Sequence, residues 1–364
     1  MMKIFLLINC WIFSCVILFG QNKTERKLIV ITFDGYRWAD VFKGADSAKL
    51  VTSLKGKKDS AEIFKKFWSN DEHSSRQKLM PFLWKTIAAK GQVYGNRDLN
   101  SNVNVKNKFW FSYPGYNEIF TGYPDSIINS NDYPANPNTT LLEFVNKQKG
   151  YQNSIASFAS WAAFTRILNK DRSGLPVNAG FTDVEEKDLT DNQKLLNQQQ
   201  HLLPQVFGPN ERHDAVTYFL AKEYLKKHHP KVLTIHFIET DAYAHRDLYD
   251  MYLASGHNND AMIEDLWNTI QSDPFYKDQT TLFLATDHGR GDNNSDNWTH
   301  HNSKTPGSEQ IWFAAMGPFT PPLGEIKNDQ EFQFQYAKTM AALLGFNFTS
   351  PHKIGDEIKK VTGR

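Results

Sequence analysis

Three β-prone apolar runs in this chain stop at side chains that bind metal ions. Thr281-Leu-Phe-Leu-Ala-Thr leads directly into Asp287-His288-Gly289. Ile29-Val-Ile-Thr-Phe ends in Asp34-Gly35, and Val232-Leu-Thr-Ile-His-Phe-Ile-Glu-Thr ends in Asp241, with His245 one helical turn further on. The loop beyond Asp287 adds Trp298-Thr-His300-His301. In open α/β sheets, ligands collect just beyond the carboxyl ends of the strands. Carboxylate oxygens mixed with imidazole nitrogens suit zinc-class divalent ions. Each segment alone has a plainer reading. An Asp before Gly is a turn, Asp241 and His245 share a helix face, and His300-His301 is a solvated loop. Together the carboxylates of Asp34, Asp241 and Asp287 and the imidazoles of His245, His288 and the His300-His301 pair furnish two metal shells, each completed by a substrate or nucleophile oxygen.

Such a site can hydrolyse an ester through a side-chain nucleophile. The candidate is Ser112, in Phe109-Trp-Phe-Ser112-Tyr113-Pro114-Gly115. Pro114 sets the first turn of a helix expected over 115–121, whose amides would favour an anion beside Ser112. A metal contact would lower the pKa of the hydroxyl enough for attack at neutral pH. The plainer role for Ser112 is an N-cap.

The elements that must position these groups alternate in type. Strands are expected at Lys27–Phe33, Ser154–Phe158, Val232–Ile238, Thr281–Ala285 and Gln310–Met316. Helical periodicity marks Lys78–Lys90, Leu141–Lys147, His213–Lys227, Asp247–Ala254, Asp260–Ile270 and Phe332–Leu344. This order predicts an α/β fold, with a mainly parallel sheet covered on both faces. Residues 43–76 form a polar insertion, and 161–205 a small cap over the sheet. No internal repeat or low-complexity tract is present.

Composition narrows the function classes. The 41 basic and 40 acidic residues give a net charge of +1, which leaves no electrostatic footprint for nucleic acid. Lys3, the apolar run Ile4–Phe19 and the small-residue point at Gly20-Gln21 read as an export signal over residues 1–20. Residues 21–364 then form one catalytic domain, exported to the periplasm or outside the cell. Membrane association follows only if the segment stays uncleaved. Both cysteines, Cys10 and Cys15, lie inside it, so the mature chain has neither disulfides nor thiolate chemistry. The sequons at Asn293 and Asn297 fall in the expected metal-binding loop and read as chance matches.

These motifs resemble the alkaline phosphatase superfamily, in the branch of nucleotide pyrophosphatases/phosphodiesterases and related periplasmic phosphomonoesterases. The resemblance runs from about Leu28 to Leu344. It rests on Asp34-Gly35, on Ser112-Tyr113-Pro114 with Thr121-Gly122, on Asp241 and His245, on Asp287-His288-Gly289, and on His301 before Pro306-Gly307-Ser308. It implies an alkaline-phosphatase-like fold and two divalent ions, zinc first. Asp241, His245 and His301 would hold one ion, and Asp34, Asp287 and His288 the other. Ser112 would touch both and form a phosphoserine. It further implies an Asn that contacts phosphate, with Asn129 and Asn131 both available. Lys170-Asp-Arg172 resembles a cap segment of the phosphomonoesterases, where a Lys-Arg pair would stabilise a monoester dianion. That pair tilts the expectation toward small phosphomonoesters over diesters. A sulfatase is disfavoured, because Tyr116 stands where that class needs Arg. A phosphomutase is disfavoured by length, and a non-catalytic metal-binding protein by the complete ligand and nucleophile set.

Overall fold

The computed structural model describes residues 25–291 and 296–364. The expected export signal with its two cysteines, and the sequon at Asn293, lie outside the described residues. The strands are β1 (Lys27–Phe33), β2 (Gly91–Tyr94), β3 (Ser101–Asn104), β4 (Ile155–Ala159), β5 (Val177–Ala179), β6 (Val232–Phe237), β7 (Thr280–Thr286), β8 (Phe313–Met316), β9 (Gly324–Glu325) and β10 (Asp329–Phe332). Eight of them form one sheet in the order β5-β4-β6-β1-β7-β8-β2-β9, while β10 pairs with β3 alone. Only β8 in the large sheet runs against its neighbours.

Period-2 geometry sends successive side chains to opposite faces. Ile29, Ile31 and Phe33 of β1 join Leu233, Ile235, Leu282 and Leu284 in one apolar core. Leu28 and Val30 join Val232, Phe283 and Ala285 in the other. Helices cover both faces, so these strands are buried throughout, which explains why they read as continuous apolar runs. Each such side chain contributes about 1.5–3 kcal/mol when buried.

The registers matter most for the site. Phe33 pairs with Phe237 on one side and with Thr286 on the other. The residues that follow these three strand ends therefore emerge side by side at the middle of the sheet. They are Asp34, the first turn of the Glu239–Ala244 helix, which carries Asp241, and Asp287.

Several helices depart from the periodicity reading. Helix α1 (Ser112–Thr121) begins at the nucleophile candidate itself, ahead of the expected start. Helices α2 (Asp214–His228) and α3 (Glu239–Ala244) follow. The helices expected at 247–254 and 260–270 are one, α4 (Tyr249–Ser272). Gly256, which looks like a break, is a packing residue: a Cβ there would lie 2.3 Å from the Tyr36 hydroxyl oxygen. Conversely, the 78–90 helix is interrupted at Pro81, and the Asp260 carboxylate accepts the exposed amides of Phe82 (2.7 Å) and Leu83 (2.9 Å). The polar insertion folds as Ser47–Leu54, Ser60–Phe67 and Glu72–Leu79, with Asp46 and Asp71 as N-caps. Within the expected cap, β5 adds the sheet's edge strand, and Ala163, Phe164 and Ile167 are buried in the core. Among the described residues, no helix is long and apolar enough to cross a membrane.

Candidate functional site

Asp34, Asp287 and His288 are fully buried. They bring one ligand atom each to within 4.8 Å of one another, and Asp241, His288 and His301 do the same. His288 lies between the two groups, its Nε2 3.3 Å from Asp34 Oδ1, 3.5 Å from Asp287 Oδ2 and 3.9 Å from Asp241 Oδ1. His245 Nε2 sits 3.2 Å from Asp241 Oδ2 and 2.9 Å from His301 Nε2.

Both buried imidazoles are oriented from behind. His288 Nδ1 lies 2.8 Å from the Gly289 carbonyl, and His301 Nδ1 3.4 Å from that of Trp110. Donation from Nδ1 leaves each Nε2 unprotonated and directed into the cluster, the tautomer a metal ligand needs. His301 Nε2, unprotonated, faces His245 Nε2 at 2.9 Å, so a proton or a cation lies between the two rings. Asp287 Oδ1 accepts the Gly35 amide at 3.0 Å, while Oδ2 is buried with no hydrogen-bond partner. The donor set, with its unpartnered oxygen, fits divalent ions.

Electrostatics support the fit. Burial, reinforced by Asp241, raises the Asp34 pKa well above the usual carboxylate range, and burial with Asp34 does the same to Asp287. Burial also pushes Asp241 upward, but Arg290, His245 and His301 outweigh it and hold Asp241 well below that range. Burial, then His288, depresses His301. The folded metal-free protein therefore binds more protons at Asp34 and Asp287 than the unfolded chain does. Their contribution to stability is full below the unfolded carboxylate pKa and is lost as pH rises through the raised folded values. Zinc must displace those protons, so calorimetry in buffers of different ionisation enthalpy should record net proton release on binding. The release should shrink as pH approaches the raised values; a pH-independent, proton-neutral uptake would contradict this electrostatic picture.

Ser112 sits at the seam. Its Oγ is 3.3 Å from Asp34 Oδ1 and 3.3 Å from His288 Nε2. The N-cap of α1 is Phe111, whose own side chain makes no capping bond. The loop before it is built rather than slack. Buried Glu118, its pKa raised by burial to about 7, accepts the amides of Lys106 (2.8 Å) and Asn107 (2.7 Å). Asn107 Oδ1 in turn accepts those of Phe109 and Trp110. This holds Trp110 at φ 58°, a left-handed conformation that is unusual for a bulky residue, and aims its carbonyl at His301. Gly115 allows α1 to touch the strand end, since a Cβ there would lie 2.5 Å from the Asp287 carbonyl oxygen.

The structure separates the two asparagines. Asn131 Oδ1 accepts the Tyr113 amide at 2.9 Å, next to Ser112, whereas Asn129 is exposed. That bond also takes up a helix amide expected to face an anion. The cap cations are not placed as expected. Lys170 lines an outer cavity of 390 Å³ with Val177, Thr182 and His228. Arg172 donates from Nε and Nη2 to Glu143 (2.8 and 2.9 Å), and from Nη1 and Nη2 to the carbonyls of Asn136, Pro137 and Asn138. A guanidinium has five N–H donors, so none remains for a phosphate. The sequence reading also passed over Arg290, directly after Asp287-His288-Gly289, and Tyr116, whose hydroxyl donates to Asp34 Oδ2 at 3.1 Å. Position beside the motif was the only signal for Arg290.

Comparison with known proteins agrees with this geometry. Residues 41–347 match the family model of type I phosphodiesterase / nucleotide pyrophosphatase, and the chain belongs to that family. No curated protein matches the sequence. Among solved structures, the alkaline phosphatase PafA is 12% identical with a TM-score of 0.61, covering 93% of this chain and 99% of its own. The lipoteichoic acid synthase LtaP from Listeria monocytogenes is 12% identical with a TM-score of 0.54, covering 93% of this chain and 76% of its own. A 2-O GAG sulfatase is 12% identical with a TM-score of 0.51, covering 93% and 74%. The fold is thus that of the alkaline phosphatase superfamily, and the chain is a hydrolase of its phosphodiesterase branch.

Proposed function

We propose that the protein is an exported two-zinc phosphate-ester hydrolase with Ser112 as nucleophile, acting on phosphodiesters in preference to monoesters. The observation that carries this reading is Ser112 Oγ, 3.3 Å from both Asp34 Oδ1 and His288 Nε2, where the two ligand groups meet. Asp241, His245 and His301 would hold one ion, and Asp34, Asp287 and His288 the other. Bound there, the ions would polarise the phosphoryl oxygens and neutralise charge on the entering and leaving oxygens. Asp34 Oδ1 accepts the Ser112 hydroxyl and aims Oγ for in-line attack. Tyr116 holds the other oxygen of Asp34. With a diester, attack forms the Oγ–P bond and breaks the bond to the leaving alcohol, leaving Ser112 esterified to a phosphate that keeps its second ester group. Water then breaks the Oγ–P bond, releasing the phosphomonoester and restoring Ser112. Asn131, bonded through Oδ1 to the Tyr113 amide beside Ser112, would offer its Nδ2 protons to a phosphoryl oxygen. The apolar run Ile4–Phe19 supports export.

The diester preference follows from charge. A monoester dianion carries one more negative charge than a diester and calls for a further donor. Arg172 has no free N–H, and Arg166 is bonded to the carbonyls of Tyr133 and Asn131. On the zinc-loaded protein, kcat/KM for bis-p-nitrophenyl phosphate should exceed that for p-nitrophenyl phosphate. Arg172→Ala should leave that ratio within about twofold while lowering stability by about 1–3 kcal/mol, because buried Glu143 and the three carbonyls lose their donor. A monoester preference that disappears in Arg172→Ala would overturn the reading.

A further inference from the structure

We propose that Arg290 is the positioning residue of the ion site formed by Asp241, His245 and His301. This rests on the two-ion reading above. Arg290 is buried, 2% exposed, and its guanidinium joins the segments that carry the ligands. Nε donates to the Gly35 carbonyl after β1 at 3.1 Å, and Nη1 to the Thr299 carbonyl in the His301 loop at 2.8 Å. Nη2 donates to the Asp241 carbonyl at 3.2 Å and also to Asp241 Oδ1. The residue itself follows Asp287-His288 beyond β7. One planar group therefore ties all the ligand-bearing strand ends and the His301 loop together.

The consequence lies in Asp241. Oδ1, held by Arg290, lies 3.5 Å from His301 Nε2, and Oδ2 is turned to His245, 3.2 Å from its Nε2. The guanidinium thus fixes the orientation of the Asp241 carboxylate between the two imidazoles and fixes the loop two residues before His301. Gly35 leaves room for this: a Cβ there would stand 3.1 Å from Arg290 Nε and 2.9 Å from Asp241 Oδ1. A lysine offers one nitrogen where the rigid fork offers three, so charge alone cannot replace it.

The test is a zinc titration by chelator competition on purified full-length wild type, Arg290→Lys and Arg290→Met, with His245→Ala identifying the affinity that belongs to the Asp241 site. In both Arg290 variants that affinity should fall at least about 10-fold, with the other within about threefold of wild type. Unchanged affinities in both variants would overturn the proposal. So would tighter zinc in Arg290→Met, which would make Arg290 a repelling charge instead. If Arg290→Met fails to fold, Arg290→Lys decides alone. Wild type binding fewer than two zinc ions would sink both this proposal and the two-ion reading, whereas two bound ions without ester hydrolysis would sink only the function.

Discussion

Replacing Ser112 by alanine should leave zinc content unchanged and lower turnover of the preferred ester by at least about 10³-fold. The effect should be this clean because Oγ has no structural task. An N-cap serine loses about 1 kcal/mol of stability on conversion to alanine, since its oxygen satisfies a helix amide. Ser112 is instead the first helical residue, its Oγ turned to Asp34 and His288, and Phe111 occupies the cap position. Alanine is also the best helix former. Thermal stability and zinc stoichiometry should therefore match wild type while the burst of leaving alcohol from the covalent seryl phosphate ester disappears. Retained turnover with both ions bound would remove Ser112 from the mechanism.

Asp287→Asn should act in opposite directions on the metal-free and metal-loaded protein. In the absence of metal, Asp287 is buried beside Asp34, burial and then Asp34 raise its pKa well above the usual carboxylate range, and its Oδ2 is unpartnered. Asparagine keeps an oxygen for the Gly35 amide and replaces the unpartnered oxygen with a donor. The metal-free variant should gain about 1–3 kcal/mol near neutral pH, a gain that vanishes as pH falls below the unfolded carboxylate range. The same change removes an anionic ligand, so zinc affinity at the Asp34–Asp287–His288 position should fall by on the order of 10²-fold or more, taking turnover with it. Thermal melts with and without zinc read both signs in one experiment. A variant that keeps wild-type zinc affinity would remove Asp287 from the ligand set.

The strand-end ligands were readable because their positions are set locally. A continuous apolar run of strand length forms a strand buried on both faces, and a polar residue directly after it must leave at the strand's end. Asp34 and Asp287 needed only that rule plus a parallel sheet, and Asp241 stands in the first helical turn after β6. His245 followed from its spacing to Asp241, and His301 from the loop beyond. Local signals misled where a residue answered to a distant partner. The expected helices at 247–254 and 260–270 are one, and Gly256 between them is small because the Tyr36 side chain lies against it. The 78–90 periodicity ignored Pro81, and the Asp260 carboxylate that satisfies the resulting amides lies far along the chain.

The sequence by itself therefore determined the α/β architecture and singled out the candidate ligand side chains and the candidate nucleophile. These depend on residue type and on spacing within one strand, turn or helix. The tertiary structure alone decided which charges face the phosphate. Arg172 looked like a substrate clamp, but Glu143 and the carbonyls at 136–138 take all its donors. Arg290 looked like an unremarked loop residue, and the convergence of β1, β7, α3 and the His301 loop places it against Asp241. A cation's role depends on which acceptors reach it first, and those acceptors are brought by the fold from distant parts of the chain.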